Sequence, residues 1–171
     1  ENPAQIGAIM SFMTAVPLVA ILFAPWLTKK LGKKGTMILA QAAGVGSGIV
    51  FLISGTNLFG IYIASLLAGI TLSLAYMVVY ALMPDLADYG LWKTGIASHG
   101  FIVALGTFCI KAGSAIAAAF AGYILSGLGY DATLASQSAA TKHGIYLANG
   151  LLPTAFSLAS LLGIIFLFHI R

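Results

Sequence analysis

The chain has 171 residues, 60% hydrophobic and only 7% charged, against about a quarter charged in an ordinary soluble domain. With a mean hydropathy of +1.03, this composition excludes a soluble globular protein and makes the bilayer the solvent. A single cysteine leaves no disulfide framework or cysteine-ligated zinc module. The small excess of 8 Lys+Arg over 4 Asp+Glu, gathered in loops, is a topology signal and not a nucleic-acid surface. The fold class expected is all-α, a polytopic membrane helical bundle, because helices satisfy their own backbone polar groups in lipid.

Five apolar stretches are predicted to cross the membrane. The first, 6–27, carries Pro17 and Pro25 and ends at the lysine run Lys29, Lys30, Lys33 and Lys34. Proline is tolerated in such helices where neighbours satisfy the freed carbonyls. The second, 36–53, leads into the turn Ser54-Gly55-Thr56-Asn57, which sends the third, 58–83, back antiparallel. A polar interval, 84–98, holds Asp85, Asp88 and Lys93 and separates the third stretch from the fourth, 99–126. A longer polar loop, 127–144, with Asp131, Lys142 and His143, precedes the last stretch, 145–168. Arg171 closes the chain.

Lys29, Lys30, Lys33, Lys34, Lys93 and Arg171 fall on one side of this arrangement and Lys142 alone on the other. Because positive loops are retained in the cytoplasm, the chain is expected to start outside and to end, at Arg171, inside. An outside start needs a span upstream if synthesis began in the cytoplasm without a cleaved signal, and the chain opens on Glu1 with no basic leader. It therefore reads as an interior piece of a longer polypeptide, or as a processed one.

Lys111 is the residue most in need of a use, since a charge near the bilayer centre costs at least ~2.5–3.5 kcal/mol on insertion scales. The helical period places Thr107 and Ser114 on its face, with Ala104, Ala118 and Gly122 extending it. No carboxylate of the chain lies at the same depth, so a charged Lys111 takes its counter-ion from another part of the protein, a substrate or cavity water. The alternative is a lysine that snorkels or is neutral after burial. On the third stretch Gly69, Ser73, Tyr76 and Tyr80 recur at three- and four-residue intervals. Tyr76 is placed to stack on the apolar face of a sugar or to serve as an aromatic anchor; Tyr62 and Tyr80 read as interfacial anchors.

Gly44-x-x-x-Gly48 and Gly113-x-x-x-Ala117-x-x-x-Ala121 are read as helix-packing faces. The run Gly44-x-Gly46-x-Gly48 lacks the preceding strand that a nucleotide fingerprint needs. His99, His143 and His169 have no metal-ligand spacing and are taken as interfacial, and no activated nucleophile or carboxylate pair lies within a span. No catalytic residue, no metal ligand and no enzyme activity is expected.

The segment 83–95, Met-Pro-Asp-Leu-Ala-Asp-Tyr-Gly-Leu-Trp-Lys-Thr-Gly, followed by Lys111-Ala112-Gly113 and Gly129-Tyr130, resembles the glycoside-pentoside-hexuronide:cation symporters of the major facilitator superfamily, the group that includes melibiose permease. Lys30-Leu31-Gly32-Lys33-Lys34 is similar to the basic part of that superfamily's short repeated loop, with Lys29 where the loop often has an acid. The resemblance covers essentially the whole chain as the last five of twelve helices, the eighth through the twelfth. It implies two six-helix halves around a midplane cavity, with this chain as the partial carboxy-terminal half.

The same resemblance implies roles for particular residues. Lys111 would line the sugar and cation cavity, with Thr107 and Ile110 as neighbouring wall, and Tyr76 would border the sugar. Ser114, on the Lys111 face, joins these as a substrate-binding candidate. Asp85, Asp88 and Lys93 would help close a cytoplasmic gate, whereas the principal cation- and sugar-binding acids would lie in the amino-terminal half. The family commonly has an acid in place of Leu91, a base in place of Ala97 and an acid in place of His99, so part of its charged network is replaced here. The expected function is symport of a sugar or glycoside with Na⁺ or H⁺ by alternating access, in the plasma membrane of a bacterium. Its partners would be that substrate, the monovalent cation as the only cofactor-like species, the lipid bilayer and the amino-terminal half; nucleic acid is excluded. The rival is a non-transporting membrane scaffold or subunit whose lysine pairs with an acid on a partner chain.

Overall fold

The computed structural model describes residues 3–55, 57–134 and 136–167. Arg171, counted above among the cytoplasmic charges, His169 and Thr56 lie outside them. The described chain is all-helical, in the order α1 (Pro3–Ser54), α2 (Leu58–Thr94), α3 (His99–Gly127) and α4 (Ala139–Leu167). All four are long and apolar enough to cross a membrane, and the protein is an integral membrane protein.

α1 is too long for one straight crossing, since its 52 residues at about 1.5 Å each far exceed a hydrocarbon layer of ~30 Å. The break is at Gly32, with φ 70 and ψ 170, a backbone conformation that glycine adopts without a Cβ penalty. Ala24 and Ala40, on opposite sides of Gly32, share one core cluster with Leu74. A straight helix would hold those alanines ~24 Å apart. α1 therefore folds back on itself at Gly32, inside the lysine run, and helix persists on both sides where a longer loop was expected.

The remaining helix ends have local chemical causes. Gly55 (φ 57) ends α1, and Asn57 then starts α2: its Oδ1 accepts the Phe59 N–H at 3.1 Å and its carbonyl accepts the Ile61 N–H at 3.1 Å. α3 ends in a Schellman motif around Gly129 (φ 71), with the Tyr130 N–H on the Leu125 carbonyl and the Gly129 N–H on the Ser126 carbonyl, both 3.0 Å. Ser138 starts α4 by accepting the Thr141 N–H on its hydroxyl at 3.1 Å and the Lys142 N–H on its carbonyl at 3.0 Å. That cap starts the helix six residues ahead of the predicted start at 145.

The third expected span ends too early. α2 continues through Pro84 as far as Thr94, so most of the polar interval 84–98 is helical and only 95–98 is turn. A proline interrupts one carbonyl bond, but Met83 (6% exposed) and Ala87 (fully buried) lie one turn apart on the same face. Their burial holds the helix together across the missing bond.

The chain divides into two compact units, Glu1–Val78 with Asn149–Arg171, and Val79–Ala148. Within the first unit, small residues and hydroxyls set the helix spacing, because apolar side chains gain nothing from leaving lipid for one another. A Cβ on Gly69 would meet Val16 and Pro17 at 2.6–3.2 Å. Beside it, the buried Ser73 hydroxyl lies 2.9 Å from both the Pro17 and Gly69 carbonyls. Ser47 donates to the Ala64 carbonyl at 2.8 Å, tying the second run of α1 to α2. Gly44 lies against Ser157 and Thr71, and Gly48 against Thr154 and the Gly150 backbone of α4. In the second unit α3 approaches α2 where Gly106 meets the end of Met83, and Thr141 donates to the Leu128 carbonyl at 3.0 Å.

Candidate functional site

α3 carries Thr107, Ile110, Lys111 and Ser114 within two turns, and the 3.6-residue period brings Thr107, Lys111 and Ser114 to one side. Lys111 stands about 18 Å along α3 from His99, near the middle of a helix long and apolar enough to cross a membrane, and is exposed. Among the described residues its ammonium has no recorded ion pair or hydrogen bond. α3 has no buried residue. Its small-residue face at Gly113 meets no neighbour within 4 Å, so the packing role read for Gly113, Ala117 and Ala121 is not made within the described chain.

The two hydroxyls flanking Lys111 are already committed as donors. Thr107 Oγ1 donates to the Val103 carbonyl at 2.8 Å and Ser114 Oγ to the Ile110 carbonyl at 2.6 Å. Such back-bonding quiets a hydroxyl proton that lipid would otherwise leave unsatisfied. It leaves oxygen lone pairs, so beside the ammonium, a donor only, this face presents two acceptors. Together they match the donor–acceptor character of a hydroxyl-rich ligand. Tyr76 belongs to α2 in the unit Glu1–Val78, where it is 48% exposed.

The charged candidates near the end of α2 divide differently from the expectation. Asp88 Oδ1 lies 2.7 Å from His99 Nε2 at the first residue of α3. Lys93 lies over the Tyr89 ring, 5.9 Å from its centroid. Asp85 is exposed on the Asp88 side of the helix, three residues before it. His99, read as interfacial, was missed as a partner. The signal was its position directly after a four-residue turn, which returns the first residue of α3 to the level of the last turns of α2.

A separate polar network orders the loop between α3 and α4. Asp131 Oδ1 accepts the Thr133 hydroxyl at 2.7 Å and the Thr133 N–H at 2.9 Å; Gln137 bonds the Asp131 backbone N–H at 3.1 Å and carbonyl at 2.6 Å. Hydrogen bonds to the Thr133 hydroxyl and then its N–H hold the Asp131 carboxyl below the ordinary aspartate value of 3.8. In the first unit a cavity of about 400 Å³ is lined by Ser47, Ser65, Phe51, Asn149 and Pro153 among others. A second, wholly apolar groove of about 460 Å³ runs past Val16, Phe23, Trp26, Leu39 and Ile70. The sequence reading anticipated neither.

Compared with known proteins, all of residues 1–171 match the model of a family described as MFS/sugar transport protein. The chain is 27% identical over 142 residues to an isoprimeverose transporter of Lactiplantibacillus pentosus, a match covering 81% of this chain and 29% of that protein. It is 32% identical over 128 residues to a putative sulfoquinovose importer of Escherichia coli (75% and 27%). Over 151 residues it is 28% identical to a glucuronide carrier protein homolog from the same organism (88% and 32%). The chain thus spans about three tenths of the length of these curated relatives. No solved structure matches it.

Proposed function

Because the chain belongs to the MFS/sugar transport protein family, a family of transporters and not of enzymes, we propose that it is the carboxy-terminal part of a cation-coupled sugar or glycoside symporter. The relatives support the substrate class: those just described are named for isoprimeverose, sulfoquinovose and glucuronide, and two others are named only as symporters. The observation that carries the reading is Lys111, a cation with two hydroxyl acceptors beside it, at membrane depth on a helix without a buried residue.

In the mechanism that follows, Lys111 donates to substrate hydroxyls or faces carboxylates of the amino-terminal half. Thr107 and Ser114 accept from the substrate, Ile110 provides apolar wall, and Tyr76 stacks on a sugar face. Na⁺ or H⁺ binds mainly to acids of the other half, and the halves rock around the site so that it faces each side in turn. Asp85, Asp88 and Lys93 close the inner side. The orientation that makes this side cytoplasmic follows the lysine distribution.

The test uses the full-length carrier in proteoliposomes, offered isoprimeverose, sulfoquinovose and a glucuronide in turn under an imposed Na⁺ or H⁺ gradient. The expected result is accumulation of at least one of them only when a gradient is present. Failure with every solute, together with isolation of the protein in a stable complex through Lys111, would replace this reading with that of a membrane scaffold.

A further inference from the structure

The Asp88–His99 contact lies outside the proposed substrate face and supports a different role. Its atoms are 2.7 Å apart, and it joins the end of α2 to the first residue of α3 across the 95–98 turn. Gly95 (φ 71) reverses the chain there, and its N–H is held by the Leu91 carbonyl at 2.8 Å. Ser98 precedes α3 but makes no side-chain cap bond. The side chain of His99 thus ties the start of α3 to α2 where Ser98 supplies no side-chain cap. Both side chains are exposed, 47% at His99 and 73% at Asp88.

The geometry points to a proton-responsive clasp between α2 and α3. Imidazole is the side chain that ordinarily changes charge between pH 5 and 8. When neutral, it shares a hydrogen bond with the Asp88 carboxylate; when protonated, it adds the attraction of an ion pair to that bond. An imidazolium at a helix N-terminus meets the positive end of the backbone dipole, and Asp88 is the carboxylate that offsets this. The other titratable groups that α2, the turn and α3 themselves bring to this contact are Asp85, Tyr89 and Lys93 on α2; the turn has none, and α3 has none before Cys109. Aspartate, tyrosine and lysine ordinarily titrate outside the imidazole window. Acidification through that window thus tightens the clasp. On the transporter reading, on which the functional meaning rests, it couples inner-side closure to cytoplasmic pH.

Hydrogen exchange of the full-length carrier in nanodiscs, corrected for intrinsic exchange, tests the clasp without a substrate. The informative amides are Gly95 and Ile102, the latter held by the Ser98 carbonyl at 3.0 Å. Protection there is expected to rise about two- to fivefold from pH 8 to pH 5.5, the range of an exposed ion pair. His99→Gln, which keeps a donor but cannot charge, and Asp88→Asn should each abolish that rise, with thermal stability confirming that both variants fold. A wild type whose protection at these amides ignores pH, or a His99→Gln variant that keeps the rise, overturns the proposal. Absence of uptake, by contrast, would count against the transporter reading and leave the clasp standing.

Discussion

The packing of α1 on α4 predicts a sharp contrast between two glycines separated by one residue. A methyl group placed on Gly48 would run into the Thr154 side chain and come within 3.0 Å of the Gly150 carbonyl oxygen. Thr154 cannot turn aside cheaply, because its hydroxyl donates to that same carbonyl at 2.6 Å and its χ1 is stiff. The Thr154 Cβ would lie 2.9 Å from the new carbon, so a rotamer change alone does not clear the clash. The helices must separate, at the ~1–3 kcal/mol typical of an added methyl group in a packed interior. On Gly46 the same methyl group meets only Leu67 Cδ1, at 3.8 Å, an ordinary contact. There the substitution should be neutral or should gain up to about 1 kcal/mol from helix propensity. The assay is reversible unfolding of the full-length carrier in mixed micelles, comparing Gly46→Ala with Gly48→Ala. Gly48→Ala should shift the folded-to-unfolded ratio about 5- to 150-fold toward unfolded. Equal stability of the two variants would refute the packing argument.

Two further perturbations follow from hydrogen bonds. Ser73→Ala removes the hydroxyl placed 2.9 Å from the Pro17 and Gly69 carbonyls; it should destabilise by about 0.6 kcal/mol, the average for side-chain bonds between membrane helices, read in the same unfolding assay. For Asp131, the native carboxyl is depressed below its ordinary 3.8, so its contribution is complete above that value and is lost as pH falls through the native one. Hydrogen-exchange protection of the Thr133 amide should therefore fall only below about pH 4, and Thr133→Val should move that loss to higher pH.

Much of this architecture was legible in composition and punctuation. Uncharged apolar runs, the lysine cluster and the glycine turns located the membrane helices because lipid leaves a chain so few alternatives. The errors arose where tertiary contact overrode a local signal. Pro84 and two aspartates read as the end of a helix, but burial of Met83 and Ala87 on either side carries α2 to Thr94. Gly44 and Gly48 were correctly read as packing residues, whereas Gly113 has the same spacing and no neighbour, since periodicity reports a face and not what covers it.

The candidate site was legible to a similar degree. Lys111 stood out from its cost alone. The use of the Thr107 and Ser114 protons on their own helix was not visible, because Thr and Ser look the same in sequence whether back-bonded or free. The Asp88–His99 pair was hidden by a separation of eleven positions along the chain, which only the turn at Gly95 brings together.

The most direct test of the central claim is gradient-driven uptake by the full-length carrier with Lys111 and with Lys111→Ala, at matched folded protein in the proteoliposome membrane. Replacing a cation at membrane depth should not harm insertion, since a lysine there is costly to insert. The account predicts that accumulation of the accepted sugar falls to the level seen without a gradient while the variant's unfolding transition stays intact. Wild-type accumulation by Lys111→Ala would contradict it.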